Sequence, residues 1–373
     1  MSRDLLLVAI SLFTWGIGES AFFYFQPLYM EQLGASPMRI GTILGAMGIA
    51  MTIAHIPAGF LADRFGRRRL MWAAWFLGFT ASIVMASAKN LTTFTIGILL
   101  YGVTAFVISP MNSYITASRG KWSVGRAITT TSASYNAGAI IGPLLGGFIG
   151  NQFGLVKIYL FAVMVFFIST LTILLIRPQP VKFQKTSFFG DARAIRLILG
   201  FLPVFFLATF AMYLPQPLTP NFLQDIHDLS VQDIGKLGSI ASLGTVVISL
   251  TLGRLNARVG FILGQVAAGA FSLLVLMGTG FPWFAVGYFL LGGYRAARAM
   301  ATAFIGEIVP PENIGLTYGI TETASGMALI LAPPVAGFIF ERNPSWIYLG
   351  AVLLMLLSVA ASLLVTQKSR FST

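Results

Sequence analysis

The chain has no cysteine, only two histidines and few charges of either sign. Without cysteine there is no disulfide, no thiol nucleophile and no thiolate metal site. His55 and His227 are too few to build a histidine metal centre. No phosphate-binding loop or nucleophile constellation makes up for these absences, so the sequence points away from an enzyme and from any resident cofactor. Charged residues make up 10% of the 373, where a soluble domain carries about a quarter. That shortage excludes an ordinary water-soluble fold.

What is present in quantity is apolar sequence. Hydrophobic residues reach 56% and the mean hydropathy is +0.82. Apolar runs fall at roughly 5–30, 38–62, 70–88, 91–116, 126–152, 155–176, 195–223, 232–256, 259–280, 282–306, 313–340 and 344–366. A helix crosses a hydrocarbon core with about 20 such residues, and helices satisfy their own backbone in lipid. The expectation is an all-α membrane protein of twelve transmembrane helices. The first run is too long for a signal-peptide core and no small-residue cleavage site follows it, so it reads as span 1.

The net charge of +12 invites a nucleic-acid partner, but its distribution argues against one. Seventeen of the bases fall in alternate connections, among them Arg64, Arg67, Arg68 and Arg69, while the opposite connections hold only Arg39, Lys89, Lys157, Lys236 and Arg342. By the positive-inside rule both termini are expected in the cytoplasm, with the chain in the cell's inner membrane. The partners expected are a small-molecule substrate, protons and the lipid bilayer, with no nucleic acid, and the chain is expected to act as a monomer.

The longest polar connection, 177–194, lies near the middle. It divides the sequence into a first six-helix half (1–177), a linker (178–194) and a second half (195–373), two pseudo-symmetric bundles. Residues about 190 apart correspond. "GFLADRFG" at 59–66 matches "GRLNARVG" at 253–260, and "GPLLGGFI" at 142–149 matches "APPVAGFI" at 332–339. Such repeats are one of the plans on which secondary transporters are built.

Gly59, Leu61, Ala62, Asp63, Arg64, Gly66, Arg67, Arg68 and Leu70 resemble the signature loop between helices 2 and 3 of the major facilitator superfamily. Gly138, Gly142, Pro143, Gly146 and Gly147 resemble the span-5 motif of its drug:proton antiporter branch. The resemblance implies a gating role for both: Asp63 latches the halves on the cytoplasmic side, and the span-5 glycines form a bendable contact between halves. Read without the resemblance, the arginines are membrane anchors and the glycines a helix-packing stripe at i, i+4, i+8. Two departures stand out: span 4 lacks the branch's arginine, and Ala257 occupies the place of Asp63 in the second repeat.

Ionisable residues within spans are costly and mark pathways. Glu19 lies ~21 Å along span 1, with Trp15, Phe22 and Gln26 on its face. Arg295 and Arg298 lie mid-span in helix 10 with Tyr288 and Thr302, and Glu322 lies ten residues into span 11. His55 and Asn112 add polar groups to spans 2 and 4, and Thr129, Ser132 and Asn136 cluster in span 5. The resemblance implies that these spans line a central cavity. Glu19 and Glu322 are the candidates for proton coupling. Trp15, Glu19, Phe22, Gln26, Asn112, Asn136, Tyr288, Arg295, Arg298 and Glu322 are the candidates for substrate binding.

Depth along spans 10 and 11 predicts that Arg295 and Glu322 pair, leaving Arg298 the freer cation; the alternative is that both bind substrate. The expected function is alternating-access transport, as proton-coupled export of an amphipathic small molecule. The alternatives are a carrier of anionic or zwitterionic solutes held by Arg295 and Arg298, and a non-transporting membrane sensor or scaffold.

Overall fold

Capping residues, glycines and prolines decide where the helices begin and break. The structure is a computed structural model describing residues 1–56, 58–179, 192–308 and 314–368; the side chains at 59, 60, 63, 192–199, 307–320 and 365–368 lie outside the described set. Within it the regular structure is helical, with no strand.

Helix α1 (Arg3–Phe23) is capped by Ser2, whose hydroxyl accepts from the Leu5 amide at 3.1 Å. Pro27 offers no amide to the preceding turn and suits the start of a helix; the chain breaks at Tyr24–Phe25 and resumes as α2 (Gln26–Gln32). Helices α3 (Pro37–His55) and α4 (Ala58–Phe65) follow. Gly66, at φ +82°, then turns the chain into α5 (Arg67–Ser87), a conformation only glycine adopts cheaply. Asn90 caps α6 (Leu91–Val103), accepting from the Thr93 amide at 2.9 Å, and a short 3-10 stretch leads into α7 (Ile108–Ser118). Helix α8 (Val124–Phe153) runs 30 residues through Pro143 without a break, and Gly154 at φ +88° separates it from α9 (Leu155–Leu174).

The second repeat starts with α10 (Ala192–Tyr213) and α11 (Thr219–His227), separated by the irregular stretch that Pro215, Pro217 and Pro220 lead one to expect. Then come α12 (Val231–Leu252), α13 (Ala257–Met277), α14 (Phe281–Leu291), α15 (Gly293–Ile308), α16 (Ile314–Phe340) and α17 (Trp346–Lys368). Among the described residues ten segments are long and apolar enough to cross a membrane. The expected spans 5 and 10 fall outside that set because α8 carries a run of threonines and serines, and because Gly292 divides a segment that also holds Arg295 and Arg298.

Contacts divide the chain into two units. The first comprises Met1–Ala35, Ala46–Lys185 and Ser230–Ser239; the second comprises Ser36–Gly45, Thr186–Leu229 and Ile240–Thr373. Each sequence half therefore lends the first turns of one helix, α3 or α12, to the other unit, an exchange the sequence does not announce.

In unit 1 an aromatic core joins Trp15, Trp75, Tyr101 and Phe166, with Trp15 to Phe166 centroids 4.4 Å apart. The Trp75 indole donates to Ser169 Oγ at 2.9 Å, and Ser169 and Ser11 bond each other's carbonyls. In unit 2 Phe201 packs on Phe205, Phe261 and Phe304, while Gln265 bridges Ser358 and Ser362. Interhelical bonds of this kind are worth about 0.6 kcal/mol each in lipid. The outer faces stay apolar, as along α9 at Leu160, Met164, Phe167 and Leu171.

Candidate functional site

The close approach of α1 and α8 places the first acid. Gly138, Gly142 and Gly146 carry no side chain because the carbonyls of Phe13, Ile17 and Ala21 occupy that space; Gly16 answers them from α1 against the Tyr135 carbonyl. The stripe is thus helix packing inside unit 1. The other side of α8 meets the lent turns of α12: Gly235 lies against the Pro143 carbonyl and Gly147, and Gly238 against Tyr24 and Pro143. In unit 2 the corresponding joint sets Gly41 and Gly45 of α3 against Pro333, Pro334 and Ile330 of α16, with Gly337 on Pro37 and Met38. At its edge the Glu341 carboxylate accepts from the Met38 amide at 3.1 Å.

With α1 and α8 this close, the Tyr135 hydroxyl donates to Glu19 Oε2 at 2.8 Å. Tyr101 of α6 also faces the Glu19 carboxylate and stacks on Trp15 at 6.1 Å. Trp15 and Phe22 are buried, Phe22 completely, in the aromatic core. They buttress the Glu19 surroundings from behind. Gln26 is buried with its Nε2 lacking a partner. Asn112 is exposed on α7, Asn136 donates to the Ser132 carbonyl at 2.9 Å, Thr129 bonds back to Gly125, and His55 ends α3.

Unit 2 holds the opposite arrangement. Arg298 Nη2 donates to Glu322 Oε2 at 3.0 Å. The expected partner was Arg295, and the structure corrects this. Helix α15 runs to Ile308 and α16 is described from Ile314, so Arg298 stands ~15 Å from the end of its helix, Glu322 ~12 Å from the start of its own, and Arg295 ~20 Å. Depth therefore selects Arg298, one turn from Arg295. Arg295 is exposed and makes no ion pair with Glu322. Arg298 also lies over Tyr294, its guanidinium carbon 5.9 Å from the ring centroid, and Tyr294 packs on Tyr213 at 5.9 Å. Tyr288 is 1% exposed and packs edge-on against Phe271, inside the unit-2 core.

The loop that resembles the signature is described in part. Gly59 and the side chain of Asp63 lie outside the described residues, as do 309–313 before α16. Arg64 lies over Phe65 at 5.5 Å and Arg68 over Trp72 at 4.4 Å, while Arg67 begins α5. Sequence reasoning missed Tyr135, Tyr101, Tyr213 and Tyr294. Only Tyr294 left a trace in the sequence, standing four residues before Arg298 on the same helical face.

The family model of the Major Facilitator Superfamily matches residues 8–202 and 201–372. Among curated relatives, the multidrug resistance protein MdtG of Serratia proteamaculans (strain 568) is 28% identical over 381 residues, covering 96% of this chain and 87% of its own length. MdtG of Enterobacter lignolyticus (strain SCF1) is 26% identical, covering 94% and 83%. Among solved structures, the nucleoside transporter NupG superimposes with a TM-score of 0.80 at 16% identity, covering 98% of both chains. The POT family transporter PepTSo gives 0.78 at 11%, covering 99% and 98%. These likenesses show the fold. Apolar helices, internal repeats and the family match over nearly the whole length agree: this chain belongs to the Major Facilitator Superfamily, as a multi-pass membrane transporter of small molecules rather than an enzyme.

Proposed function

We propose that the chain exports amphipathic small molecules from the cytoplasm in exchange for protons, with Glu19 as the group that binds the proton. The observation that carries this reading is the Glu19–Tyr135 bond. A phenol donates to a carboxylate and accepts from a carboxylic acid, so both protonation states of Glu19 keep a partner. Glu322 is the weaker candidate, because protonating it would discard its ion pair with Arg298.

The relatives' name, multidrug resistance protein, supports efflux of varied compounds. Twelve spans, both termini cytoplasmic, an inner-membrane location and action as a monomer complete the proposal. The bases clustered in alternate connections support that orientation. Alternating access is supported by the internal repeats about 190 residues apart, one of the plans on which such transporters are built. The signature loop resembles a latch in which Asp63 would hold the cytoplasmic side.

Proteoliposomes with an internal pH dye provide the test. A cationic amphipath should evoke proton flux in the parent protein and none in Glu19→Gln. Equal flux in both would remove Glu19 from the mechanism, and no flux with cationic, neutral or anionic compounds would favour a sensor or scaffold.

A further inference from the structure

Unit 2 contains two buried donors with nothing to donate to. The Tyr294 side chain is 8% exposed and its hydroxyl sits beside the Arg298 guanidinium, yet among the described residues it has no acceptor for its own proton, and Arg298 Nε has none either. Each such group in a low-dielectric setting carries a desolvation cost that an acceptor would remove. The acceptor present, Glu322, engages Nη2 alone and from the rim: its side chain is 66% exposed against 27% for Arg298. With Arg295 exposed one turn away, the described side chains here hold two cations and one acid, a surplus of one positive charge. Beside it runs an aromatic stripe. Phe206, Phe210 and Tyr213 are part-exposed on one face of α10, Phe206 stacks on Phe210 at 5.8 Å, and Tyr213 leads to Tyr294 at 5.9 Å.

We propose that Arg298 and Tyr294 form a binding subsite for the carboxylate of an amphipathic monoanion, its apolar body lying along Phe206, Phe210 and Tyr213, with Glu322 as the resident counter-ion that yields to it. One carboxylate oxygen accepts from Arg298 Nε and the Tyr294 hydroxyl, filling both vacant donors. The monoanion cancels the surplus charge, and its aromatic or aliphatic body covers the α10 stripe. A cation meets the surplus positive charge, and a neutral amide accepts the same bonds but lacks the attraction between opposite charges. The subsite adds amphipathic acids, as a second substrate class bound in unit 2, to the cations of the transporter reading and so rests on it. Direct binding needs no proton gradient, however, and can fail while Glu19-dependent flux stands.

The test is equilibrium binding of 4-phenylbutyrate, 4-phenylbutyramide and 4-phenylbutylamine to the purified full chain in detergent. The acid should bind at least about tenfold more tightly than the other two, the ratio expected for one hydrogen bond to a charged group. Tyr294→Phe, which removes a single oxygen, should weaken the acid by about tenfold and the amide by less. Glu322→Gln should tighten the acid by removing its competitor. Arg298→Gln should abolish the preference for the acid; if that variant does not fold, Tyr294→Phe decides alone. Equal affinity for all three compounds, an unchanged acid affinity in Tyr294→Phe, or weaker acid binding in Glu322→Gln would each overturn the subsite.

Discussion

The two units treat charge within their helices in opposite ways. Unit 1 sets its acid, Glu19, against the neutral phenol of Tyr135, whereas unit 2 sets Glu322 against Arg298 at 3.0 Å. A neutral donor tolerates a change of charge; an ion pair resists one, since removing either charge strands the other. Under the proposed reading the difference divides labour within the fold: proton exchange in unit 1, electrostatic holding in unit 2. The aromatic residues follow the same division. In unit 1 they are buried behind Glu19, and in unit 2 Phe206, Phe210 and Tyr213 remain part-exposed beside Arg298.

The largest expected effect breaks the comparison outright. Glu19→Gln should lower substrate-evoked proton flux in proteoliposomes at least about a hundredfold, a loss of roughly 2.7 kcal/mol or more. Glu322→Gln should keep flux for a cationic amphipath within about threefold. If the two variants lose flux equally, the division of labour is wrong.

Next in size is the ion pair. Glu322→Ala leaves Arg298 unpaired in a poorly solvated place and should cost about 2 kcal/mol of stability. Adding Arg298→Ala should return part of that loss, and Arg295→Ala should fall within about 0.5 kcal/mol of the parent. Thermal unfolding in detergent reads all three; a larger loss from Arg295→Ala than from Glu322→Ala would restore the pairing that sequence depth suggested.

The glycine stripe gives a comparable but purely steric effect. Gly138→Val must push against the Phe13 carbonyl and should destabilise by about 1–3 kcal/mol. At Gly350 a Cβ meets nothing within 4 Å, and Gly350→Ala should stabilise α17 by up to about 1 kcal/mol. The same melts check both, and equal tolerance at the two positions would deny the close α1–α8 approach.

Smallest is a pH effect at the end of α16. The Ser36 hydroxyl and the Met38 amide hold the Glu341 carboxyl below its ordinary value of 4.5. A lowered folded value means the unfolded chain binds more protons near that pH, so this contribution is complete above about pH 4.5 and fades as pH falls further. Glu341→Gln should flatten that part of the stability-versus-pH curve and leave it unchanged at pH 7 relative to pH 6. A drop that persists in the variant would assign it elsewhere.

Sequence reading reached the membrane class, the repeats, the glycine stripe and the expensive charges, because hydropathy, spacing and the rarity of ions in apolar runs are local signals. It did not reach partners. The Tyr135–Glu19 bond spans 116 residues and depends on the rotation of α8 about its axis, which the stripe constrains but does not reveal. Pairing Glu322 with Arg295 rather than Arg298 was an error of one turn, arising from helix ends placed two residues away on each side of the 309–313 connection. Trp15 and Phe22 shared a drawn face with Glu19, yet a side chain's neighbours follow from which helix packs there, and α5, α6 and α9 cover those two. The lent turns of α3 and α12 carry no sequence signal beyond Gly41, Gly45, Gly235 and Gly238, which read equally well as generic small residues.

The central claim, that Glu19 exchanges its proton for substrate, is tested most directly by counting protons released when substrate binds. Purified protein in unbuffered detergent solution, at a neutral and then at a more acid pH, is titrated with tetraphenylphosphonium while a pH indicator records release. The account predicts up to about one proton per cation bound in the parent at the lower pH, and none in Glu19→Gln although that variant stays folded. The same release from both proteins would contradict it.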